Sequence, residues 1–252
     1  MKSIGKKGSH IEVILSFVIF VTFLVFMYTI VKPVIQKPID REYLVNYVKE
    51  NIKNEIMADL TYKSIEITNL QGRSCFEIQG NFGGDGISLA KVVVKDETNT
   101  KITQVWIDEG LWIDSNKERI YKFYFFEYFT KAQLNPVKEC GDPLEEDKNY
   151  EVIEQKTNQY VSLTKLRDLQ TKYSTPEGYV KLKDELKIPD GRNFGFSFKK
   201  SKGDTNPINA VKETAKGINV YAEEIPILYV DNDYQSATYG DIRTGFLTVK
   251  IW

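Results

Sequence analysis

The sequence has little imidazole and little thiol, with one histidine (His10) and two cysteines among 252 residues. Zinc sites are built mainly from Cys and His, and Ser-His-Asp or Cys-His catalysis needs an imidazole in the folded domain. His10 stands beside the apolar N-terminal segment. Carboxylate pairs suited to glycoside chemistry do not stand out among the 35 acidic residues. We therefore predict that the protein is not an enzyme and has no metal and no cofactor.

An excess of charge of one sign is also missing, because 34 basic and 35 acidic residues give a formal net charge of -1. Binding to nucleic acid relies on a basic surface that neutralises phosphates, so we predict no nucleic-acid partner. Glycine and proline number only 16 and 8, while 42% of residues are hydrophobic and 27% are charged. This composition excludes collagen-like and wholly disordered chains and indicates a globular protein of one large or two small domains.

One long apolar run dominates the N-terminal part. Residues 13–31 read VILSFVIFVTFLVFMYTIV, without a charge, proline or glycine. Nineteen residues form about 28 Å of helix, which matches a hydrocarbon core of about 30 Å. A secretory signal peptide is the competing interpretation, but its apolar region spans about 7–15 residues and ends at a small-residue cleavage site. We therefore predict a retained transmembrane helix over residues 9–33 that contacts lipid through residues 11–31.

The count of basic residues on either side of this helix gives almost no preference for one orientation. Three lysines precede the run and four basic residues follow it within about 20 positions (Lys2, Lys6, Lys7; Lys32, Lys37, Arg41, Lys49). The leading tail has no acidic residue, and a long C-terminal part is translocated largely regardless of its charge. We predict a single-pass cell-membrane protein with a cytoplasmic N-terminus and an extracytoplasmic C-terminal part. The opposite orientation, with a cytoplasmic C-terminal part, stays open.

The residues before the run carry the most specific motif in the chain. In MKSIGKKGSHIEVILSFVIF, a basic leader (residues 1–8) ends in Lys7-Gly8, and the carboxylate Glu12 stands at the edge of the apolar helix. This motif resembles the class III signal of type IV pilins and archaeal pilin-like surface proteins. The resemblance implies a prepilin-type peptidase that cuts after Gly8. Cleavage would create an α-ammonium on Ser9, close to Glu12.

This resemblance implies a surface-exposed structural or assembly subunit that associates with its own copies or with related pilin-like subunits. The sequence departs from the family because Glu12 would be the fourth mature residue, whereas the family usually has a glutamate fifth. Pro33 and Pro38 are also expected to interrupt the helix. The alternative is an uncleaved signal anchor that carries an extracytoplasmic binding or adaptor module.

The rest of the chain predicts an α+β protein. Residues 34–149 are expected to hold an amphipathic helix, N-capped by Asp40 with Leu60 as its last apolar position, and then a β-rich domain. Strands are predicted in TYKSIEIT, SCFEIQG, ISLAKVVVK, KITQVWID and RIYKFYFFEYF, with a turn at residues 81–88 and a hairpin around residues 114–117. The polar segment 130–149 is the predicted boundary between domains.

Residues 150–252 are predicted to form a second domain of helices on an antiparallel sheet. Two short strands, at residues 150–153 and 159–162, precede two helices, the second capped by Thr175 with Pro176 at its first position. A turn at residues 189–191 leads to a strand with Phe194, Phe196 and Phe198 on one face. Pro226 indicates an edge strand or a bulge in the next strand, and residues 241–252 form the last.

Two smaller features carry further hypotheses. The Asp and Asn residues around loop 231–241 (Asp231, Asn232, Asp233, Asp241) favour a hairpin loop over a calcium site, and Tyr234 and Tyr239 are expected to be exposed for a partner. Cys75 and Cys140 are a possible disulfide in an oxidising compartment, closing a loop of about 65 residues and stabilising the fold by roughly 4 kcal/mol. An unpaired buried thiol and an exposed one are the alternative.

Overall fold

The computed structural model describes residues 9–35, 41–70, 72–79, 82, 88–107, 110–115, 119–130, 143–212 and 219–252. Within these ranges the chain forms four α-helices: α1 (Ser9–Ile35), α2 (Arg41–Ile56), α3 (Leu163–Ser174) and α4 (Pro176–Glu185). It also forms eleven strands: β1 (Met57–Ile67), β2 (Cys75–Gln79), β3 (Val92–Asp96), β4 (Gln104–Ile107), β5 (Gly110–Asp114), β6 (Ile120–Phe126), β7 (Tyr150–Ser162), β8 (Phe194–Lys199), β9 (Ile208–Ala210), β10 (Tyr221–Val230) and β11 (Ile242–Ile251). A short 3-10 helix, Leu89–Lys91, precedes β3. The α+β class is confirmed.

The chain divides into two compact units within α2, at Asn46 and Tyr47. We call residues 47–252 the head. The first unit contains α1, which continues through Pro33 to Ile35. The prediction that Pro33 interrupts the helix is therefore wrong: proline removes one backbone donor, but here it stands in the last turn, where little helix follows. Asp40 and Pro38 lie outside the described residues.

Helix α2 has the predicted amphipathic pattern but ends earlier than expected. Val48, Ile52 and Ile56 are fully buried and recur every four residues, as one face of a helix requires. Leu60, expected on the same helix, lies instead in β1, which begins at Met57. Leu60 follows Ile56 by four residues, as helical spacing requires, but the segment MADLTYKSIEI forms strand β1.

The head is built on an eight-stranded sheet in the order β3-β6-β1-β7-β10-β11-β8-β9. β7 pairs antiparallel with β1 from Met57–Val161 to Ile67–Tyr150, with one register shift at Ser64/Ile65. It is a single 13-residue strand, so the prediction of two short strands is corrected. The predicted boundary at residues 149/150 does not separate two compact units, because strands from both sides pair in this sheet and residues 47–252 form one unit.

A second sheet of three strands, in the order β2-β5-β4, packs over one face of the first. Between them lies an apolar core in which Phe76 and Ile78 meet Phe123 and Phe125, all at most 2% exposed. The predicted hairpin around residues 114–117 is wrong, since β5 pairs with β2 and β4 whereas β6 pairs with β1 and β3. Turn-forming residues such as those at 114–117 indicate a change of chain direction, but they do not determine which strands pair.

The other half of the large sheet follows the prediction closely. The Thr175 hydroxyl accepts a hydrogen bond from the Gly178 N–H at 3.1 Å, which caps α4 as expected. Phe194, Phe196 and Phe198 are buried on β8. In the described part of the chain, β10 pairs with β7 only at Tyr229 and Val230. Pro226 therefore has no strand hydrogen-bonded to it on the β7 side, which suits a residue without a backbone N–H.

The loop between β10 and β11, residues 231–241, closes over the face opposite the three-stranded sheet; we call it the clasp loop. The ring of Tyr239 packs with Phe129 and Val93 in a second apolar cluster. Lys95 on β3 donates to Asp241 Oδ1 at 2.6 Å and to the Gly240 carbonyl at 3.0 Å. The clasp loop therefore joins residues that are far apart in sequence.

Gly240 is the most constrained position of the clasp loop. Its φ is +83°, and a β-carbon there would lie 2.7 Å from Val93 Cγ1. Gly191 has a similar φ of +76° but open space around it. We expect Gly191→Ala to lower the free energy of unfolding by about 1 kcal/mol, from backbone strain alone, and Gly240→Ala by about 1–3 kcal/mol more because of overpacking. Urea unfolding of the full-length variants checks this; equal losses would contradict the close packing of the clasp loop on β3.

Candidate functional site

Two of the four predicted processing and assembly residues belong to the described part of the chain. Lys7 and Gly8 lie outside the described residues, Ser9 begins α1, and Glu12 stands in its first turn. Among the described residues, one helix is long and apolar enough to span a membrane, with Glu12–Thr29 as the candidate span at a mean hydropathy of 2.2. This finding rests on length and composition, and it leaves open which side the head occupies.

The side chains of this span are exposed around the whole helix. Fourteen large hydrophobic residues between Val13 and Tyr28 are each 38–65% exposed. Both threonines inside the run are satisfied locally, since the Thr22 hydroxyl donates to the carbonyls of Val18 and Ile19, and the Thr29 hydroxyl donates to that of Phe26. The helix has no polar face that would suit it to lie half in water.

One of the two cysteines, Cys75, lies in the described part of the chain. Cys75 begins β2, is 5% exposed and is disulfide-bonded. The chain has one other cysteine, Cys140, which lies outside the described residues. The pairing of these two cysteines stays a prediction.

The carboxylates of the clasp loop are used in hydrogen bonds within the loop. Asp231, 1% exposed, accepts from the hydroxyls of Ser236 and Thr238 at 2.6 Å each and from the Asp233 N–H at 3.3 Å. Lys200 Nζ lies 3.6 Å from the same carboxylate. In the described ranges no three His, Cys, Asp or Glu side chains converge enough to hold a metal ion. The observed contacts are those of a folded hairpin loop.

The other clasp-loop residues behave differently from one another. Asn232 donates to the Thr164 hydroxyl at 2.8 Å and to the Tyr128 carbonyl at 3.3 Å, which fixes the loop to the rest of the head. Tyr234 is 50% exposed, as expected for a partner contact. Tyr239 is only 6% exposed, so its predicted exposure is wrong. Its hydroxyl accepts from the Thr130 N–H at 2.9 Å, and its ring fills the apolar cluster beneath.

A polar cleft of about 940 Å³ opens along β1 and β7. Its floor is formed by residues that stand opposite each other in the β1–β7 ladder. Thr61 and Thr157 join their hydroxyls at 2.9 Å, and Gln159 Nε2 donates to Asp59 Oδ1 at 3.1 Å. The volume lies within the range of about 300–1,000 Å³ that is typical of small-molecule sites.

The walls of this cleft carry charges of both signs. Lys91 and Lys165 face it together with Asp59 and Glu127, and Lys165 Nζ donates to the Met57 carbonyl at 2.7 Å. Such a lining offers hydrogen-bond donors and acceptors without a net charge, which suits a neutral polar ligand better than an ion. Sequence reasoning missed the cleft because its residues come from six separate segments. The one available signal was the polar residues on one face of the β1 segment.

The comparisons with known proteins found no relative. No protein-family model matches the sequence, no curated protein matches it, and no solved structure matches the fold. Its function is therefore argued from its own sequence and contacts.

The Asp231 network predicts a specific pH dependence. Burial acts to raise the pKa of Asp231, but its hydrogen bonds and the Lys200 ammonium outweigh burial and hold that pKa below its ordinary 3.8. A carboxylate with a lowered folded-state pKa stabilises the fold fully above the unfolded-state pKa, and this contribution is lost as the pH falls through the folded-state value.

We expect Asp231→Asn to lower the free energy of unfolding at pH 7 by about 1–3 kcal/mol. The difference from wild type should shrink as the pH falls below about 4. Asp233→Asn, at a more exposed position, serves as the control and should lose less than about 1 kcal/mol. Urea unfolding from pH 7 to pH 3 measures both. A wild-type–Asp231→Asn difference that does not change with pH would contradict this role.

Proposed function

We propose that the protein is a membrane-anchored, surface-exposed structural subunit of the pilin-like kind. In this proposal α1 lies in the bilayer beside copies of itself or related subunits, and the head stands outside the cytoplasm. The observation that carries the proposal is the exposure of apolar side chains on every side of α1 between Val13 and Tyr28. A helix that is apolar on every side is stable only in lipid or among other apolar helices.

Glu12 is the feature that favours assembly over simple anchoring. A carboxylate near hydrocarbon is costly unless it is paired, and such residues usually mark a function. The described part of the chain provides no ion pair to Glu12. Removal of residues 1–8 would place an α-ammonium on Ser9, three residues from Glu12. Neighbouring helices could then neutralise each other's charges in pairs.

Two observations support placing the head outside. The residues before α1 are basic and free of acidic side chains, which favours a cytoplasmic N-terminus. Cys75 is disulfide-bonded, and disulfides persist in oxidising compartments outside the cytoplasm.

The polar cleft supports the second candidate, an extracytoplasmic binding or adaptor module on an uncleaved anchor. Thr61, Thr157, Asp59 and Gln159 form a hydrogen-bonding floor that a structural head does not need. The two candidates differ in what happens to the N-terminus: assembly of the pilin-like kind follows leader removal, whereas a permanent anchor keeps residues 1–8.

The mature N-terminus and the effect of Glu12→Gln distinguish the candidates. We expect mass spectrometry of the membrane-extracted protein to find Ser9 as the first residue. We also expect Glu12→Gln to reduce cross-linked oligomers in the membrane at least about tenfold, because it leaves the α-ammonium of Ser9 unpaired in a medium where an unpaired charge costs about 3 kcal/mol. Glu42→Gln, in the first turn of α2, is the control and should leave the oligomers unchanged. A terminus at Met1 or Lys2, with Glu12→Gln cross-linking like wild type, would reject the pilin-like proposal and favour the binding module.

A further inference from the structure

A second and smaller cavity lies at the clasp loop, and it shares no lining residue with the polar cleft. It has a volume of about 240 Å³. Lys101 and Thr103 line it from the segment beside β3, Thr130 lines it from the end of β6, and Tyr234 and Tyr239 line it from the clasp loop. At about 30 Å³ per water molecule, the cavity has room for a molecule the size of a single substituted aromatic ring.

The ammonium of Lys101 is held in this cavity by aromatic rings. Its Nζ lies 4.7 Å from the ring centroid of Tyr239 and 5.9 Å from that of Tyr234. The two rings stand edge to face, with centroids 5.5 Å apart. Tyr239 is fixed by its hydroxyl contacts with Thr130, while the half-exposed ring of Tyr234 offers a flat surface.

Lys101 differs from the neighbouring Lys95 in how its charge is balanced. Lys95 is paired with Asp241 at 2.6 Å and donates to a backbone carbonyl. Across the described residues, no carboxylate lies within ion-pair distance of Lys101. Among the residues that the structure describes, this cation therefore has no counter-charge.

The electrostatics of Lys101 agree with this geometry. Burial and then the nearby charge of Lys95 lower the pKa of Lys101 from its ordinary 10.5. The Lys101 side chain is nevertheless solvent-exposed, and at such a site ring contacts stabilise an ammonium by about 0.5–1 kcal/mol. A bound anion would supply the missing counter-charge.

We propose that this cavity binds a small organic monoanion, with a carboxylate on Lys101 Nζ and a flat aromatic body against Tyr234. A single negative charge matches the single ammonium left unbalanced, since Lys95 is already neutralised by Asp241. The flat body follows from the ring surface that Tyr234 exposes and from the edge-to-face geometry that aromatic pairs prefer. This site is independent of the membrane assembly proposed above.

Benzoate is the probe that tests the site on the full-length protein in lipid nanodiscs. We expect saturable binding by saturation-transfer NMR, with a dissociation constant of about 1 mM, the scale of so few contacts. Lys101→Met and Tyr234→Ala should each weaken it, the former at least about tenfold because a charge-assisted hydrogen bond is lost. Benzyl alcohol, the uncharged analogue, should bind wild type as weakly as benzoate binds Lys101→Met. Lys181→Met, which removes an exposed lysine from α4, should bind benzoate like wild type.

Lys101→Arg keeps the positive charge and is the control for a loss of binding in Lys101→Met that comes from misfolding. We expect it to retain benzoate binding within a few-fold of wild type, and both variants should unfold at the wild-type temperature. Absence of saturable benzoate binding would overturn the proposal. So would equal binding to wild type and Lys101→Met, or equal binding of benzoate and benzyl alcohol to wild type, because each shows that the ammonium does not select the ligand.

Discussion

The interaction on which the rest of the account depends is the contact of α1 with an apolar medium. Fourteen large hydrophobic side chains along it are 38–65% exposed. Burial of a fully exposed side chain of this kind contributes about 1.5–3 kcal/mol, so transfer of fourteen roughly half-exposed ones out of water is favourable by on the order of 10–20 kcal/mol. This is as large as the stability of a typical domain, about 5–15 kcal/mol. An apolar environment for α1 is therefore a stronger requirement than any single contact within the head.

The head is held together by contacts between segments far apart in sequence. β1 and β7 pair along the whole of β1, and the clasp loop returns from the other half of the sheet to cover β3. Two charged groups in these contacts, Asp231 and Lys95, have hydrogen-bond partners. Because burying a charge is costly without partners, these networks fix the loop in one arrangement. The cavity at Lys101 is a consequence of that arrangement, since Tyr234 and Tyr239 of the clasp loop line it.

The parts of the fold that could be predicted from the sequence are those that local chemistry decides. The cap at Thr175, the proline after it and the alternation of Phe194, Phe196 and Phe198 each depend on neighbours a few residues away. The apolar span was equally clear, because its length and composition alone match a bilayer. In these segments propensity, pattern and burial agree.

The parts that could not be predicted depend on which segments meet. β5 and β6 are separated by a short turn-like segment yet belong to different sheets. The sequence predicts two short strands in place of β7, because the polar middle of this segment lacks a hydrophobic pattern. In the structure, pairing with β1 keeps β7 continuous. Tyr239 was expected to be exposed because loops usually are, but the cluster around Phe129 buries it. The polar cleft and the Lys101 cavity escaped prediction for the same reason, since each draws on several distant segments.

Extraction of native membranes with alkaline carbonate tests the central claim most directly. Carbonate removes proteins that bind the membrane surface and leaves those embedded in hydrocarbon. The account predicts that the full-length protein stays with the lipid pellet and that a variant lacking residues 1–35 appears in the supernatant. Full-length protein released into the supernatant would contradict an embedded α1, and with it the placement of the head at the membrane.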